Sequence, residues 1–411
     1  MKIFLIFYNL IFLPLIFLLA MIASIFNNKI RKGFLGRMQS ISKIKKFNTN
    51  KFSEIYWFHS SSHGEYQQVE TLINEIKKRD KKIGIIASFF SPSGFENVKD
   101  PNIDLKIYLP FDFIYACYKS LKIIRPKKIF FTSNDFWPSF LFVSKKLRIN
   151  TILTSARYNK SYNIFFKMFD KIFCISDKDL HLISKHNNHK NIFLAGNPRF
   201  DRILANYHSS SYETDNINTK KSKNFIFASM WKEDNKIIFE DFLNSNVVNN
   251  FNKILIVPHE ISKNYLDYYC SILDKKGFSY NVIDEYKKSL DFPEKFLIVN
   301  KVGFLSKLYF HTTHAYVGGG FSKNGIHNIS EPAVASNVVM FGPIFSDSNK
   351  QDANNLIEKN GGFLVNDSEN FIKVILDLEN KKISNSISQS AKNYVYDNSG
   401  ATQVIMEHIH E

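Results

Sequence analysis

The 411-residue sequence predicts an α/β protein: two doubly wound, Rossmann-like domains behind an apolar N-terminal segment. Three observations carry the prediction. Short apolar runs alternate with amphipathic helical stretches in both halves, the rhythm of strand–helix–strand units around a parallel sheet. A polar stretch at 206–223 separates the halves, and its composition is that of a linker. The length exceeds what a single core usually supports, while 44% hydrophobic residues exclude a mostly disordered chain.

The N-terminal segment, 3–26, is almost wholly apolar, interrupted by Asn9 and Pro14. It is long enough to cross a hydrocarbon core of about 30 Å, which needs about 20 residues. A cleaved leader would be shorter and end in a small-residue cleavage site. Instead Lys29, Arg31, Lys32, Arg37, Lys43, Lys45 and Lys46 follow without an acid, and only Lys2 precedes. That asymmetry predicts a single anchor with the body of the protein in the cytoplasm. A monotopic hairpin or interfacial helix is the competing reading, since Pro14 can break the span.

Past the anchor (1–28) and the basic juxtamembrane segment (29–50), the first domain is expected over 51–205. Its strands read at 55–60, 83–90, 128–132, 151–154, 171–175 and 191–195. A helix over 64–79 brings Val69, Leu72, Ile73 and Ile76 to one face. The second domain, 224–390, has strands at 225–229, 253–258, 296–300, 314–317 and 337–341. The tail, 391–411, reads as a helix able to return to the first domain. Ligands of such domains bind at the carboxyl ends of the strands, in a cleft when two domains face each other.

The charge of +16 is mostly lysine in a sequence rich in Ile, Asn and Phe. With no zinc-finger spacing or aromatic RNA-binding signature, the expected partner is an anionic membrane surface rather than nucleic acid. Cys117, Cys174 and Cys270 are scattered, which argues for a reducing compartment and against a disulfide framework or structural zinc. No metal site and no cofactor are expected.

Two stretches carry chemistry. In HSSSHGEYQQ (59–68), small residues follow a strand, and His63, Gly64 and Glu65 open a helix. A carboxylate there is favoured in its ionised form by the helix dipole and suits a general base. Spacing alone favours the plainer reading, a Glu that stabilises a first turn. In YVGGGFSKNGIHNISEPAVA (316–335), Gly319 and Gly320 permit close backbone approach, and a helix is expected from His327-Asn328. Glu331, one turn in, can accept from ribose hydroxyls. Further motifs follow strands: Asp135-Phe136-Trp137-Pro138, Ser155-Ala156-Arg157, Gly196-Asn197-Pro198-Arg199, Trp231-Lys232-Glu233-Asp234 and Pro258-His259-Glu260. Each alone is an ordinary loop.

In this order the motifs resemble the 3-deoxy-D-manno-octulosonic acid (Kdo) transferases, in a Bacteroidetes-like branch, from the anchor to about residue 365. The resemblance is carried by the HGE turn, SPSG (91–94), YLP-x-D (108–112), G-x-x-RFDR (196–202), W-x-ED (231–234), PHEI (258–261) and GGGF…GIHNxxE (318–331). It implies the two-domain GT-B architecture and metal-free inverting transfer of Kdo from CMP-Kdo to a lipid A precursor, lipid IVA. It further implies Glu65 as base and Pro258, Gly303, Asn328 and Glu331 around CMP, with His259 near the phosphate or the Kdo carboxylate. Arg157 and Arg199 would meet acidic groups of donor or acceptor. The family's ETELWPN reads SNDFWPS here, its PRH reads PHE, and a frequent Glu after Gly303 is Phe304. Two readings compete: a GT-B transferase using a UDP-sugar on another lipid, and an inactive membrane scaffold.

Overall fold

A computed structural model describes residues 2–187, 191–213, 222–287, 290–346 and 349–409. It divides into one unit that runs to Arg202 and resumes at Ser399, and a second unit, Ile203–Asn398.

The first unit is built on seven strands: β1 (Glu54–Ser60), β2 (Ile83–Phe89), β3 (Leu105–Tyr108), β4 (Lys128–Thr132), β5 (Asn150–Ala156), β6 (Lys171–Cys174) and β7 (Ile192–Leu194). Their order is β3-β2-β1-β4-β5-β6-β7, all in parallel pairs. Both faces are covered, as a parallel sheet requires, and every residue of β2 is buried. Strand alternation divides β1 between two cores: Ile55 and Trp57 pack with Phe131 and Phe140, Tyr56 and Phe58 with Leu72 and Ile73. Ile405, Met406 and Ile409 of the last helix, Ala401–Ile409, complete the second of these cores.

The second unit repeats the plan with β8 (Phe225–Met230), β9 (Ile254–Pro258), β10 (Tyr280–Ile283), β11 (Phe296–Val299), β12 (His314–Val317), β13 (Val338–Phe341) and β14 (Gly362–Leu364), in the order β10-β11-β9-β8-β12-β13-β14. The two-domain doubly wound architecture is therefore the one the sequence predicts. Each sheet has one point where successive strands reverse direction across it, between β1 and β4 and between β8 and β12. Those are the places where open α/β sheets bind ligands.

Several elements differ from expectation. Strands β3, β10 and β14 are short edge strands that are only partly buried, so they carry no continuous apolar run. The helix expected at 64–79 is two, His63–Tyr66 and Glu70–Arg79, because the chain turns at 67–69. Residues 206–213, expected as linker, continue the helix Pro198–Glu213, and 214–221 lie outside the described residues. The helix Ser384–Asp397 belongs to the second unit.

The apolar segment is helical from Lys2 to Phe26 with a π-turn at Tyr8–Phe12. Asn27 then caps a second helix, Asn28–Lys46, its side-chain oxygen accepting from Lys29 (2.9 Å) and Ile30 (3.2 Å). The two helices form a hairpin, with Phe17 packed on Phe34 and on Phe111. Asn9 explains itself at the π-turn. Its amide donates to Leu5 O and Ser139 Oγ (2.9 Å), and its oxygen accepts from Ile114 N–H (3.0 Å). Leu5 and Leu13, one turn to either side, are buried, so one stripe of the segment rests on the first unit. Elsewhere Ile3, Phe7, Leu10, Leu15, Leu18 and Phe26 are exposed, and the helix Ile3–Phe26 is long and apolar enough to cross a membrane.

Candidate active sites at the two switch points

At the β1/β4 switch point, β1 ends at Ser60, whose hydroxyl meets that of Thr132 on β4 (3.0 Å). Ser62 then caps the four-residue helix, accepting from Glu65 N–H at 3.4 Å, and the Glu65 carboxylate folds back to accept from Ser61 N–H. From β4, Asp135 reaches the same turn. Its Oδ2 accepts from His59 Nε2 (2.8 Å), Ser61 Oγ (2.8 Å) and Trp137 Nε1 (3.1 Å). His59 is fully buried, and its other ring nitrogen lies 3.0 Å from Ser88 Oγ.

This arrangement separates the two carboxylates. Burial pushes the Glu65 carboxyl up to about 7, and the neighbouring Asp135 charge adds to it, against the Ser61 and Ser62 N–H groups and His59. Burial also penalises Asp135, but the bonds from His59, Ser61 and Trp137 outweigh it and hold that carboxyl below its ordinary value. The expectation that a helix dipole keeps Glu65 ionised is corrected: a four-residue helix carries little dipole, and burial dominates. A carboxyl near 7 is matched to taking a proton at neutral pH.

Sequence reasoning placed Glu65 and Asp135 in separate motifs, and the fold joins them through Ser61. It missed His59 and Arg37. The Arg37 guanidinium lies 4.2 Å over the Phe90 ring, donates to Phe90 O (2.5 Å), and feels the Asp135 charge, while burial lowers it to about 10. In sequence it was one of seven basic residues after the anchor. His63 and Gly64 lie in the turn itself, Gly64 exposed. Arg157 is exposed, and its carbonyl accepts from Asn134 (2.8 Å). Arg199 sits in the first turn of its helix, with its N–H on Asn197 Oδ1 (3.1 Å). Its neighbours are structural. Asp201 accepts from Gly400 and Thr402 N–H at the start of the last helix, and Arg202 pairs with Glu70 (2.6 Å).

At the β8/β12 switch point, Asp234 is the buried organiser. Its oxygens accept from Gly319 N–H (2.8 Å), Trp231 N–H (3.1 Å) and Tyr316 OH (2.7 Å). Burial raises its carboxyl, although those three donors pull the other way. The glycines answer to the protein's own backbone: a Cβ at Gly318 would lie 2.4 Å from Ser229 O, and one at Gly320 would lie 2.5 Å from Gly342. Gly318 N–H is bonded to Ala228 O and Gly319 N–H to Asp234, so the close backbone approach expected at Gly319 is made to the protein itself.

Pro258 ends β9, and His259 N–H bonds Met230 O at the end of β8 (2.9 Å). The His259 ring stacks on Trp231 at 3.9 Å and lies 4.6 Å from His327. Burial lowers both imidazoles, His327 to about 4, which leaves an uncharged aromatic cluster at neutral pH. Asn328 donates to Glu331 (3.0 Å) and accepts from Ser330 N–H, so the helix starts at Ser330 rather than at 327–328. Gly303 is exposed with φ +95°, a conformation that favours glycine, and nothing lies within 4 Å of its Cβ position. Among the described residues no group of three His, Cys, Asp or Glu side chains could hold a metal ion.

Residues 32–202, the stretch holding the Glu65 site, match the family model for 3-deoxy-D-manno-octulosonic-acid transferase. A Kdo transferase of Aquifex aeolicus is 24% identical over 342 residues, 82% of this chain and 89% of its own. The family model and such relatives, taken together, support the Kdo transferase family. The chain is a glycosyltransferase. A bifunctional glycosyltransferase/methyltransferase of Fusobacterium nucleatum is 25% identical over 82% of the transferase, which spans 54% of that relative's length. In fold it is similar to MurG of Acinetobacter baumannii, with a TM-score of 0.57 at 10% identity, covering 87% of this chain and 99% of that one.

Proposed function

We propose that the chain transfers Kdo from CMP-Kdo to a hydroxyl of a lipid A precursor, lipid IVA, in lipopolysaccharide synthesis, with inversion and with Glu65 as the base. The observation that carries this is the Glu65 carboxyl, raised to about 7 at the β1/β4 switch point inside the stretch that matches the family model. Ionised Glu65 takes the acceptor proton as the hydroxyl attacks the anomeric carbon, and CMP departs with the bonding pair. Ser61, itself held by Asp135, fixes the carboxylate, and a fixed, partly desolvated base needs little reorganisation. Around β8/β12, the Trp231–His259–His327 cluster, Pro258, Gly303, Gly320, Asn328 and Glu331 are assigned to the donor. His63, Gly64, Asp135, Arg157 and Arg199 are assigned to acceptor or sugar. The hairpin would hold the enzyme at the cytoplasmic face of the inner membrane, with the lysine-rich surface favouring anionic lipid.

The test is transfer onto tetraacyl lipid A precursor, with CMP-Kdo generated in situ, by wild type and Glu65→Ala. Product from wild type alone, of a mass that counts the sugars added, supports donor, acceptor and base together. Tight UDP binding with none for CMP would sink the donor, and normal transfer by Glu65→Ala would remove the base.

A further inference from the structure

The first unit contains a second concavity that the glycosyl chemistry does not require. A cavity of about 610 Å³ lies between the N-terminal hairpin and the loops after β2, β3 and β4. We propose that it holds one acyl chain of the lipid acceptor, with Arg37 in its wall gripping an acidic group of the same molecule. This deepens the lipid A reading and rests on it.

The walls are hydrocarbon. Leu13, Ile16 and Ala20 come from the first helix of the hairpin, Phe34 from the second, and Phe90 and Phe111 from the loops. The volume falls in the range of about 300–1,000 Å³ typical of small-molecule sites. Of the charged groups at the cavity, Asp112 is already satisfied: it accepts from Ser139 and Phe140 N–H (3.0 and 2.8 Å) and from Cys117 (3.5 Å). Arg37 differs. Among the described residues it forms no ion pair and donates to one carbonyl, that of Phe90, which leaves a planar fork of donors for a phosphate or carboxylate.

Two continuities select an acyl chain over other apolar occupants. The helix that supplies Leu13, Ile16 and Ala20 exposes Leu15, Leu18, Leu19 and Ile22 on its other sides. A chain can therefore pass from the bilayer to the cavity along one apolar helix. At the other end the cavity wall is bonded to the base. Trp137 donates to Asp135, which accepts from Ser61 Oγ, and Ser61 N–H holds Glu65, while Ser91 N–H bonds Ser61 O at 2.8 Å. One amphipathic molecule with its chain in the cavity thus presents its headgroup beside Glu65.

The experiment uses the full chain in lipid nanodiscs with a tetraacyl lipid A precursor carrying a diazirine at the end of one acyl chain. Photolysis is expected to label peptides spanning 12–20, 30–37 and 109–113, with unlabelled precursor competing. Ala20→Trp, which fills the cavity, should cut that labelling and raise KM for the tetraacyl acceptor by about tenfold, the scale of discrimination in apolar pockets. Turnover of a fully deacylated acceptor should not change. Label confined to the outer face of 13–26, or competed equally by ordinary phospholipid, overturns the proposal even if Kdo transfer is intact. Cavity labelling competed by the precursor, with no Kdo transfer to any acceptor, keeps the chain site and refutes the Kdo reading instead.

Discussion

Glu65→Gln is the perturbation that separates a catalytic carboxylate from a structural one. Glutamine keeps the length and an oxygen for the Ser61 N–H but removes the charge. The carboxyl stands at about 7 against an ordinary 4.5, a difference worth roughly 3 kcal/mol at about 1.4 kcal/mol per pH unit. Partial solvation lowers that to the order of 1–3 kcal/mol. Below 4.5 both folded and unfolded chains hold the proton and Glu65 costs nothing. Between 4.5 and about 7 the unfolded chain alone releases it, so stability falls with pH, and the whole cost is present above about 7. Glu65→Gln should therefore melt higher than wild type at pH 8, by about 2–4 °C for each kcal/mol in a unit of this size, with the gap closing by pH 4. Transfer should fall by about 10²–10⁴, the usual loss of a general base. Wild-type kcat/KM should climb about tenfold per pH unit up to about 7 and then level. A flat wild-type profile from pH 5.5 to 8, or a Gln variant that transfers normally, would refute the reasoning.

Other expectations follow from the same contacts. Asp135→Asn removes a charge that helps hold Glu65 up, so the midpoint of the pH–rate profile should move below about 7, read in the same assay. Asp234→Ala strands the Gly319 and Trp231 amides and the Tyr316 hydroxyl. Urea unfolding should show a loss of at least about 3 kcal/mol, since each of the three unsatisfied buried groups costs about 1–3 kcal/mol, and CMP binding by calorimetry should weaken. Gly320→Ala places a Cβ 2.5 Å from the Gly342 backbone, which cannot rotate away, so the melting temperature should fall by an amount equivalent to at least about 1–3 kcal/mol.

Periodicity and composition alone reached the two doubly wound units, because β1, β2, β4, β8 and β9 are apolar runs that only a doubly covered parallel sheet can bury. The edge strands β3, β10 and β14 escaped because they are only partly buried and so lack the continuous apolar run that marks the equally short, fully buried β11 and β13. Asn9 looked like a flaw in an apolar helix, yet its partners, Ser139 and Ile114, lie more than 100 residues away. No local rule could supply them.

Motif by motif, the chain also named the turns that matter: the HGE turn, the DFWP loop, the W-x-ED loop and the glycine run each follow an apolar strand in the sequence itself. What each turn is for was decided by neighbours across the sheet. Glu65 is raised rather than lowered because the fold buries it, with Asp135 arriving from the loop after β4 to add to the rise, and the Gly319 N–H is committed because Asp234 arrives from the loop after β8. Strand pattern is a local property, fixed by which residues can be buried on which face. Protonation and the commitment of each N–H are set by groups far apart in the chain, and only the tertiary structure brings those together.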